Sequence, residues 1–222
     1  MTTSGRKSNR RSPVSAPDFS VNPNSRNLSK PTGDIRLLAL TGFMGAGKTT
    51  VGKLVASRQG WRFLDVDAVI ETENGHSIAE LFQKHGEAWF REREHRTIAE
   101  LVQADSVVNL TETQAESTVL QPCVLALGGG AIEDARTRRL LLQSPAVRLI
   151  YLDVSLDEAI RRCSVEAQIL RPVLSDRERL AARYRQRLPL YRQAHLTVPV
   201  DGLLPEEIAQ RIADHLSQIR IY

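Results

Sequence analysis

The chain has 222 residues, of which 41% are hydrophobic, enough for one α/β domain with a substantial core. No apolar run approaches the roughly 20 residues that a membrane-spanning helix needs, so we expect no membrane association. Only two cysteines occur, Cys123 and Cys163, which argues against a disulfide framework and favours a reducing, cytoplasmic location.

The net charge of +4 belongs to the N-terminal segment rather than to the whole chain. Residues 1–34 carry six basic and two acidic residues, whereas residues 35–222 carry 24 of each. The segment is rich in Ser, Asn, Arg and Pro, which predicts a disordered basic extension. A plastid transit peptide is the alternative, although two early prolines interrupt its helical pattern. Because the remainder is neutral, we expect no nucleic-acid partner.

The first predicted strand, residues 35–40, leads into a phosphate-binding motif. Residues 42–49 read GFMGAGKT and fit G-x-x-x-x-G-K-[ST], and residues 50–58 carry apolar side chains at helical spacing. Glycines let backbone N–H groups surround a phosphate at a helix N-terminus. Lys48 is expected to reach the β- and γ-phosphates, and the Thr49 hydroxyl to bind Mg²⁺. The predicted nucleotide site comprises Gly45, Ala46, Gly47, Lys48, Thr49 and Thr50.

The second predicted strand, residues 61–65, ends at a pair of aspartates, Asp65 and Asp67. Carboxylates at such a strand end can hold Mg²⁺ or deprotonate an acceptor hydroxyl. The alternative is that Asp67 caps the helix that begins at Ala68. That role explains one aspartate but not the pair, so a functional role for both is favoured.

Helical segments are predicted from residue 68 to residue 103, with a break near Gly75. Within them, Arg91 and Glu94 lie three residues apart on one side of a helix. Spacing alone favours a solvated charged face, because exposed ion pairs of this kind are common.

Three consecutive glycines, Gly128, Gly129 and Gly130, follow the third predicted strand, residues 124–127. Their lack of side chains allows bare backbone to approach a ligand. A plain turn into the helix that begins near Glu133 is the alternative, but a turn seldom needs three glycines.

The last part of the chain contains the fourth strand (147–153), the fifth strand (196–200) and a closing amphipathic helix (204–219). Strands alternate with helices throughout, which predicts a parallel sheet in a three-layer α/β/α domain. Arginines concentrate between the last two strands and suit either phosphate and carboxylate binding or a solvated basic helix. They include Arg161, Arg162, Arg171, Arg183, Arg185 and Arg187.

Taken in order, these motifs resemble the shikimate kinase family over residues 35–220. They are GFMGAGKTT, FLDVD, the spaced pattern that ends in HGE..FR..E, then LGGGA, RP.L and R.PLYR. The resemblance implies a P-loop, nucleoside monophosphate kinase-like fold with a five-stranded parallel sheet and a mobile lid at about 164–179. It also implies transfer of the γ-phosphate of ATP to the 3-hydroxyl of shikimate, a step toward chorismate and the aromatic amino acids.

The same resemblance assigns roles to individual residues. It places Asp65 near Mg²⁺, Glu94 as the carboxylate that braces Arg91, Arg162 beside the adenine and Arg171 in the lid as the arginine that reaches the transferred phosphate. Lys48, Asp67 and Arg171 are then the catalytic residues, with Asp67 accepting the proton of the hydroxyl. The implied shikimate site comprises Asp67, Arg91, Gly128, Gly129, Gly130 and Arg187.

Two segments depart from the family pattern: residues 104–122 form a longer, polar link, and the lid lacks its usual glycines. We expect a monomer whose partners are shikimate and ATP. The alternatives are another small-molecule P-loop kinase, such as a gluconate or nucleotide kinase, and a regulatory nucleotide-binding module. A GTPase switch is disfavoured because no Asn-Lys-x-Asp motif occurs.

Overall fold

The computed structural model describes residues 20–21, 35–103, 122–166 and 177–219. Its strands are β1 (Ser20–Val21), β2 (Leu37–Thr41), β3 (Arg62–Asp65), β4 (Cys123–Ala126), β5 (Val147–Asp153) and β6 (Leu196–Pro199). Its α-helices are α1 (Lys48–Gln59), α2 (Val66–Asn74), α3 (Ile78–Gln103), α4 (Ala135–Gln143), α5 (Leu156–Glu166), α6 (Arg177–Tyr191) and α7 (Pro205–Ile219). A 3₁₀ helix, Ala131–Glu133, precedes α4.

The strands form one sheet in the order β1-β6-β5-β2-β4-β3. Strands β2 to β6 are parallel, and each lies within two residues of its predicted bounds, so the predicted five-stranded parallel sheet is confirmed. The edge strand β1 was not predicted, and it belongs to the segment that we expected to be disordered. Its residues Ser20 and Val21 pair antiparallel with Thr197 and Leu196. Such pairing depends on a distant partner strand, which local composition does not reveal.

The core is the sheet itself, sandwiched between helices. Strands β2 and β4 are buried along their whole length and consist almost entirely of apolar residues, as expected for central parallel strands. Helix α1 packs against α7, and α3 packs against α4, which provides the two helical layers of the predicted three-layer domain. No helix in the described ranges is both long enough and apolar enough to cross a membrane.

Two helix breaks divide residues 66–103. The predicted break at Gly75 is confirmed, since this residue ends α2 in the left-handed conformation at φ 68°. A second break at Gly86, with φ 81° and ψ 171°, was not predicted and divides α3 into two segments. The polar link at 104–122 lies almost wholly outside the described residues. So do the central part of the predicted lid and Arg171.

His195 lies buried immediately before β6 and links two other elements. Its Nδ1 accepts the backbone N–H of Leu149 at 2.9 Å, and its Nε2 lies 3.2 Å from the carbonyl oxygen of Leu142. Because Nδ1 is an acceptor, the ring is neutral and carries its proton on Nε2. Burial lowers the pKa of His195 to about 4, and the nearby Arg148 contributes in the same direction.

We therefore expect His195 to make the folded state sensitive to acid. Unfolded histidine takes up a proton near its ordinary pKa of 6.5, whereas folded His195 resists protonation until about pH 4. Its contribution to stability is thus fully present above pH 6.5, falls as the pH drops toward 4 and levels off below. The free energy of unfolding should decrease by about 3 kcal/mol over this window on account of His195 alone.

Urea unfolding between pH 8 and pH 4 measures this effect. Glutamine offers a similar acceptor and donor without titrating, so His195→Gln should lack this part of the pH dependence. His76→Gln changes an exposed histidine and serves as the control. An unchanged pH dependence in His195→Gln would contradict the assignment.

Candidate active site

A cleft of about 960 Å³ opens at the carboxyl ends of β2, β3 and β4, where a parallel sheet is expected to bind its ligands. The segments that line it come from distant parts of the chain. Among its lining residues are Gly45, Ala46, Gly47, Lys48, Thr49, Thr50, Asp65, Asp67, Arg91, Glu94, Gly128, Gly129, Gly130, Arg162 and Arg187. Every residue of the predicted nucleotide, metal and acceptor sites within the described ranges therefore lines one cleft, and Arg171 falls outside those ranges.

The phosphate-binding motif forms the tight turn between β2 and α1. Gly45 and Gly47 adopt left-handed backbone conformations, with φ of 72° and 86°, where a side chain would introduce strain. The partly buried ammonium group of Lys48 donates hydrogen bonds to the carbonyl oxygens of Gly42 at 2.9 Å and Phe43 at 3.2 Å. Burial lowers the pKa of Lys48 to about 8, and Asp67 and Asp65 act in the opposite direction.

Asp65 connects the P-loop to the second strand end. Its Oδ2 accepts a hydrogen bond from the Thr49 hydroxyl at 2.8 Å, and its Oδ1 accepts one from the backbone N–H of Asp67 at 3.2 Å. The extended backbone of Asp65 makes it the N-cap of α2. The alternative interpretation of Asp67 as the cap is therefore wrong, because α2 begins at Val66, two residues earlier than expected.

Asp67 lies in the first turn of α2, with its carboxylate directed toward the glycine run at residues 128–130. A Cβ atom added at Gly128 would lie 3.0 Å from Asp67 Oδ1. Burial raises the pKa of Asp67, the nearby Asp65 raises it further, and Lys48 opposes both. The result is a partly desolvated carboxylate that is a better base than one in water.

Arg91 and Glu94 form a buried ion pair rather than a solvated charged face. Glu94 is only 1% exposed, and its Oε2 accepts a hydrogen bond from Arg91 Nη1 at 2.5 Å. Burial raises the pKa of Glu94 to about 7, against the attraction of Arg91. The expectation from spacing alone is thus wrong, because the pair lies inside the cleft, where few water molecules can screen it.

Glycine is needed at residues 128–130 because there is little room for side chains, and not because of the backbone conformation. None of its three residues has φ in the left-handed region. A Cβ at Gly130 would lie 2.5 to 2.8 Å from the guanidinium atoms of Arg91, and one at Gly128 would overlap the carboxylate of Glu94. A Cβ at Gly129 would lie 3.6 Å from Arg187 Nη1. The plain-turn alternative is therefore incomplete, since side chains of the site occupy the space above this run.

Arg187 reaches the same place from α6 and is 7% exposed. Its Nη2 donates a hydrogen bond to Glu133 Oε2 at 2.7 Å. One helical turn further on, the buried Tyr191 donates its hydroxyl to the carbonyl oxygen of Gly129 at 2.6 Å. Sequence reasoning did not assign a role to Glu133 or Tyr191. The R.PLYR motif contained Tyr191, but no pattern linked it to the glycine run.

Arg162 lies on the outer side of the P-loop. Its guanidinium donates to the carbonyl oxygens of Gly45 at 3.3 Å and Val200 at 3.0 Å, and it pairs with Glu158 at 2.7 Å. In contrast, Arg161 is exposed and pairs with the same glutamate, and the exposed Arg185 donates to its own helix. Arg162 and Arg187 are thus more buried than Arg161 and Arg185, although Arg161 also lines the cleft.

A P-loop beside a pocket that presents one carboxylate and two guanidinium groups defines a P-loop kinase for a small acceptor molecule. The family model described as shikimate kinase matches residues 44–118 and 109–217. The chain therefore belongs to the shikimate kinase family.

Individual relatives agree with this assignment. A shikimate kinase from Psychrobacter arcticus is 38% identical over 80% of this chain and 87% of its own length. One from Streptomyces avermitilis is 39% identical over 81% of this chain and 94% of its own. The structure is also similar to that of a shikimate kinase from Acinetobacter baumannii in complex with shikimate. That protein is 30% identical, with a TM-score of 0.70 over 90% of this chain and all of the other.

Proposed function

We propose that this protein transfers the γ-phosphate of ATP to the 3-hydroxyl of shikimate, which gives shikimate 3-phosphate on the route to chorismate. One observation carries the proposal: the carboxylate of Asp67 and the guanidinium groups of Arg91 and Arg187 converge on the glycine run at residues 128–130, within the cleft that contains Lys48. Shikimate carries one carboxylate and three hydroxyl groups, so it needs both kinds of partner.

On the acceptor side, Arg91 and Arg187 bind the carboxylate of shikimate, because guanidinium groups form paired, charge-assisted hydrogen bonds with carboxylates. Asp67 accepts a hydrogen bond from the reacting hydroxyl and takes up its proton. Its raised pKa favours that transfer. Glu94 holds Arg91 in place through their buried ion pair.

On the nucleotide side, the P-loop amides and Lys48 bind the phosphates. The ammonium of Lys48 rests on two P-loop carbonyl oxygens, and a polyphosphate offers it a more strongly charged partner nearby. That partner would also restore the pKa of Lys48 toward its ordinary value, since opposite charge favours the protonated form. Phosphoryl transfer depends mainly on positioning and charge neutralisation, which these groups supply.

The residues near Asp65 fit a magnesium ion. Thr49 and Asp65 provide a hydroxyl and a carboxylate oxygen, which are the hard ligands that Mg²⁺ prefers. Across the described ranges no cluster of three or more His, Cys, Asp or Glu residues forms a metal cage, and Mg²⁺ with ATP does not need one because phosphates and waters complete its shell. When bound, the ion neutralises charge on the phosphate oxygens.

The remaining roles rest on the family motifs. We propose that Arg162 borders the adenine, that Arg171 reaches the transferred phosphate and that residues 164–179 form a lid that excludes water. Residues 35–222 would then be the catalytic domain, with 1–34 as an extension to it. The bacterial relatives favour a cytoplasmic location, and we expect the enzyme to act as a monomer.

The test of the proposed function is release of ADP from MgATP with and without shikimate, followed by NMR of the product to locate the phosphate. Gluconate and nucleoside monophosphates are the alternative acceptors. We expect turnover with shikimate and little with the others. A protein that binds ATP but releases no ADP in response to shikimate would overturn the proposal.

The two acceptor arginines should affect shikimate much more than ATP. Lysine keeps the charge but loses the planar two-point contact, so we expect Arg91→Lys and Arg187→Lys each to weaken shikimate binding by about ten- to a hundredfold. ATP affinity should stay nearly unchanged. Isothermal titration of each ligand separately measures both effects. The control is Arg96→Lys, which changes an exposed arginine on α3 that pairs with Glu92 outside the cleft. Equal losses for both ligands would contradict the assignment.

A further inference from the structure

Arg187 is a nearly buried cation that makes one direct ion pair within the described part of the chain. Its side chain is 9% exposed, and its Nη2 lies 2.7 Å from Oε2 of Glu133, which is 27% exposed. Its Nε is buried and has no hydrogen-bond partner within the described part of the chain. A buried charge without a partner is strongly unfavourable, so the direct ion pair with Glu133 helps to stabilise the charged side chain there, together with electrostatic attraction from Glu94.

Glu133 is coupled to the floor of the acceptor pocket. It ends the 3₁₀ helix that follows the glycine run, and its backbone N–H donates to the carbonyl oxygen of Gly130 at 2.9 Å. Its carboxylate is therefore held close to the glycines that the acceptor is expected to contact.

A second link holds α6 against the same segment. Tyr191, one turn beyond Arg187, donates to the carbonyl oxygen of Gly129, and its ring stacks on Tyr151 with 5.1 Å between centroids. Both tyrosine rings are fully buried, so this link is rigid. The stem of Arg187 is thus fixed by α6, and Glu133 then determines where its guanidinium lies.

We infer that Glu133 is a positioning residue of the acceptor pocket, which holds Arg187 by Nη2 so that Nη1 faces the glycine run and the acceptor carboxylate. The inference rests on the proposed function and extends it to a residue outside the family motifs. It resembles the pair on the other side of the run, where Glu94 holds Arg91 by Nη1; Nη2 of Arg91 faces Gly130 and also donates to the exposed Glu87 at 3.3 Å. At Arg187 the contact with Glu133 occupies Nη2 and leaves Nη1 directed at the glycine run.

Three substitutions of Glu133 separate the effect of its side-chain length from the effect of its negative charge. Glu133→Ala removes the partner, and we expect the KM for shikimate to rise about tenfold while kcat and the KM for ATP change less than about twofold. Glu133→Gln keeps an oxygen acceptor at the same distance and should stay within about threefold of the wild type. Glu133→Asp keeps the charge but shortens the side chain, and should resemble the alanine variant. The matched control is Glu92→Ala, which breaks exposed ion pairs with arginines outside the cleft.

A double-variant cycle tests whether Glu133 acts through Arg187. If it does, Glu133→Ala combined with Arg187→Lys should have nearly the same KM for shikimate as Arg187→Lys alone. Three results would each overturn the inference. The first is a double variant whose increase in the KM for shikimate is the product of the two single increases. The others are a Glu133→Asp variant with the wild-type KM, and a rise in the KM for ATP that matches the rise for shikimate. The wild-type assay distinguishes the two proposals: absence of shikimate-dependent ADP release counts against the proposed function, whereas a normal KM in Glu133→Ala counts against Glu133 alone.

Discussion

Replacing Lys48 by alanine is expected to lower kcat by about 100- to 1,000-fold, the range observed when a preorganised charge that stabilises a transition state is removed. The ammonium of Lys48 is partly buried at the P-loop and interacts electrostatically with both Asp65 and Asp67. In Lys48→Ala, the negative charge that develops on the transferred phosphate in the transition state would lack the ammonium that neutralises it. Single-turnover assays with saturating ATP and shikimate would measure the chemical step directly.

The control for this variant is Lys53→Ala, which removes an exposed lysine from the same helix. It should turn over at nearly the wild-type rate. Thermal unfolding of both variants would establish that each is folded. A folded Lys48→Ala protein with near-normal kcat would show that this P-loop does not serve phosphoryl transfer.

Replacing Asp67 by asparagine should also lower kcat by about 100- to 1,000-fold, because asparagine has nearly the same shape but cannot accept the proton of the hydroxyl. Shikimate affinity should fall only a fewfold, since the amide oxygen still accepts a hydrogen bond and both arginines remain. Substrate titration by calorimetry and steady-state kinetics would separate these effects.

The matched control for Asp67→Asn is Asp157→Asn, which alters an exposed carboxylate that pairs with Arg177. This change should affect neither kcat nor shikimate affinity. If Asp67→Asn instead raised the KM for shikimate and left kcat intact, Asp67 would be an acceptor-binding group and not the base.

The sequence by itself determined the strands, the P-loop and the order of the motifs. The five parallel strands and α1 lie within two residues of their predicted bounds, because apolar runs and helical spacing are properties of neighbouring residues. The P-loop is equally local, since Gly45, Gly47 and Lys48 act within one turn. Family motifs then joined these segments into one site that spacing alone did not assemble.

The tertiary structure decided which polar residues are partners. Spacing predicted a solvated face for Arg91 and Glu94, yet packing of α3 against α2, α4 and the 3₁₀ helix buries Glu94 and most of Arg91. Nothing local relates Glu133 to Arg187, which is 54 residues away, or β1 to β6. Burial and long-range pairing depend on how helices and strands pack in three dimensions, and the free energy of a charge depends on that burial. Local pattern therefore predicts the elements of this protein, whereas packing determines how its charged groups are held.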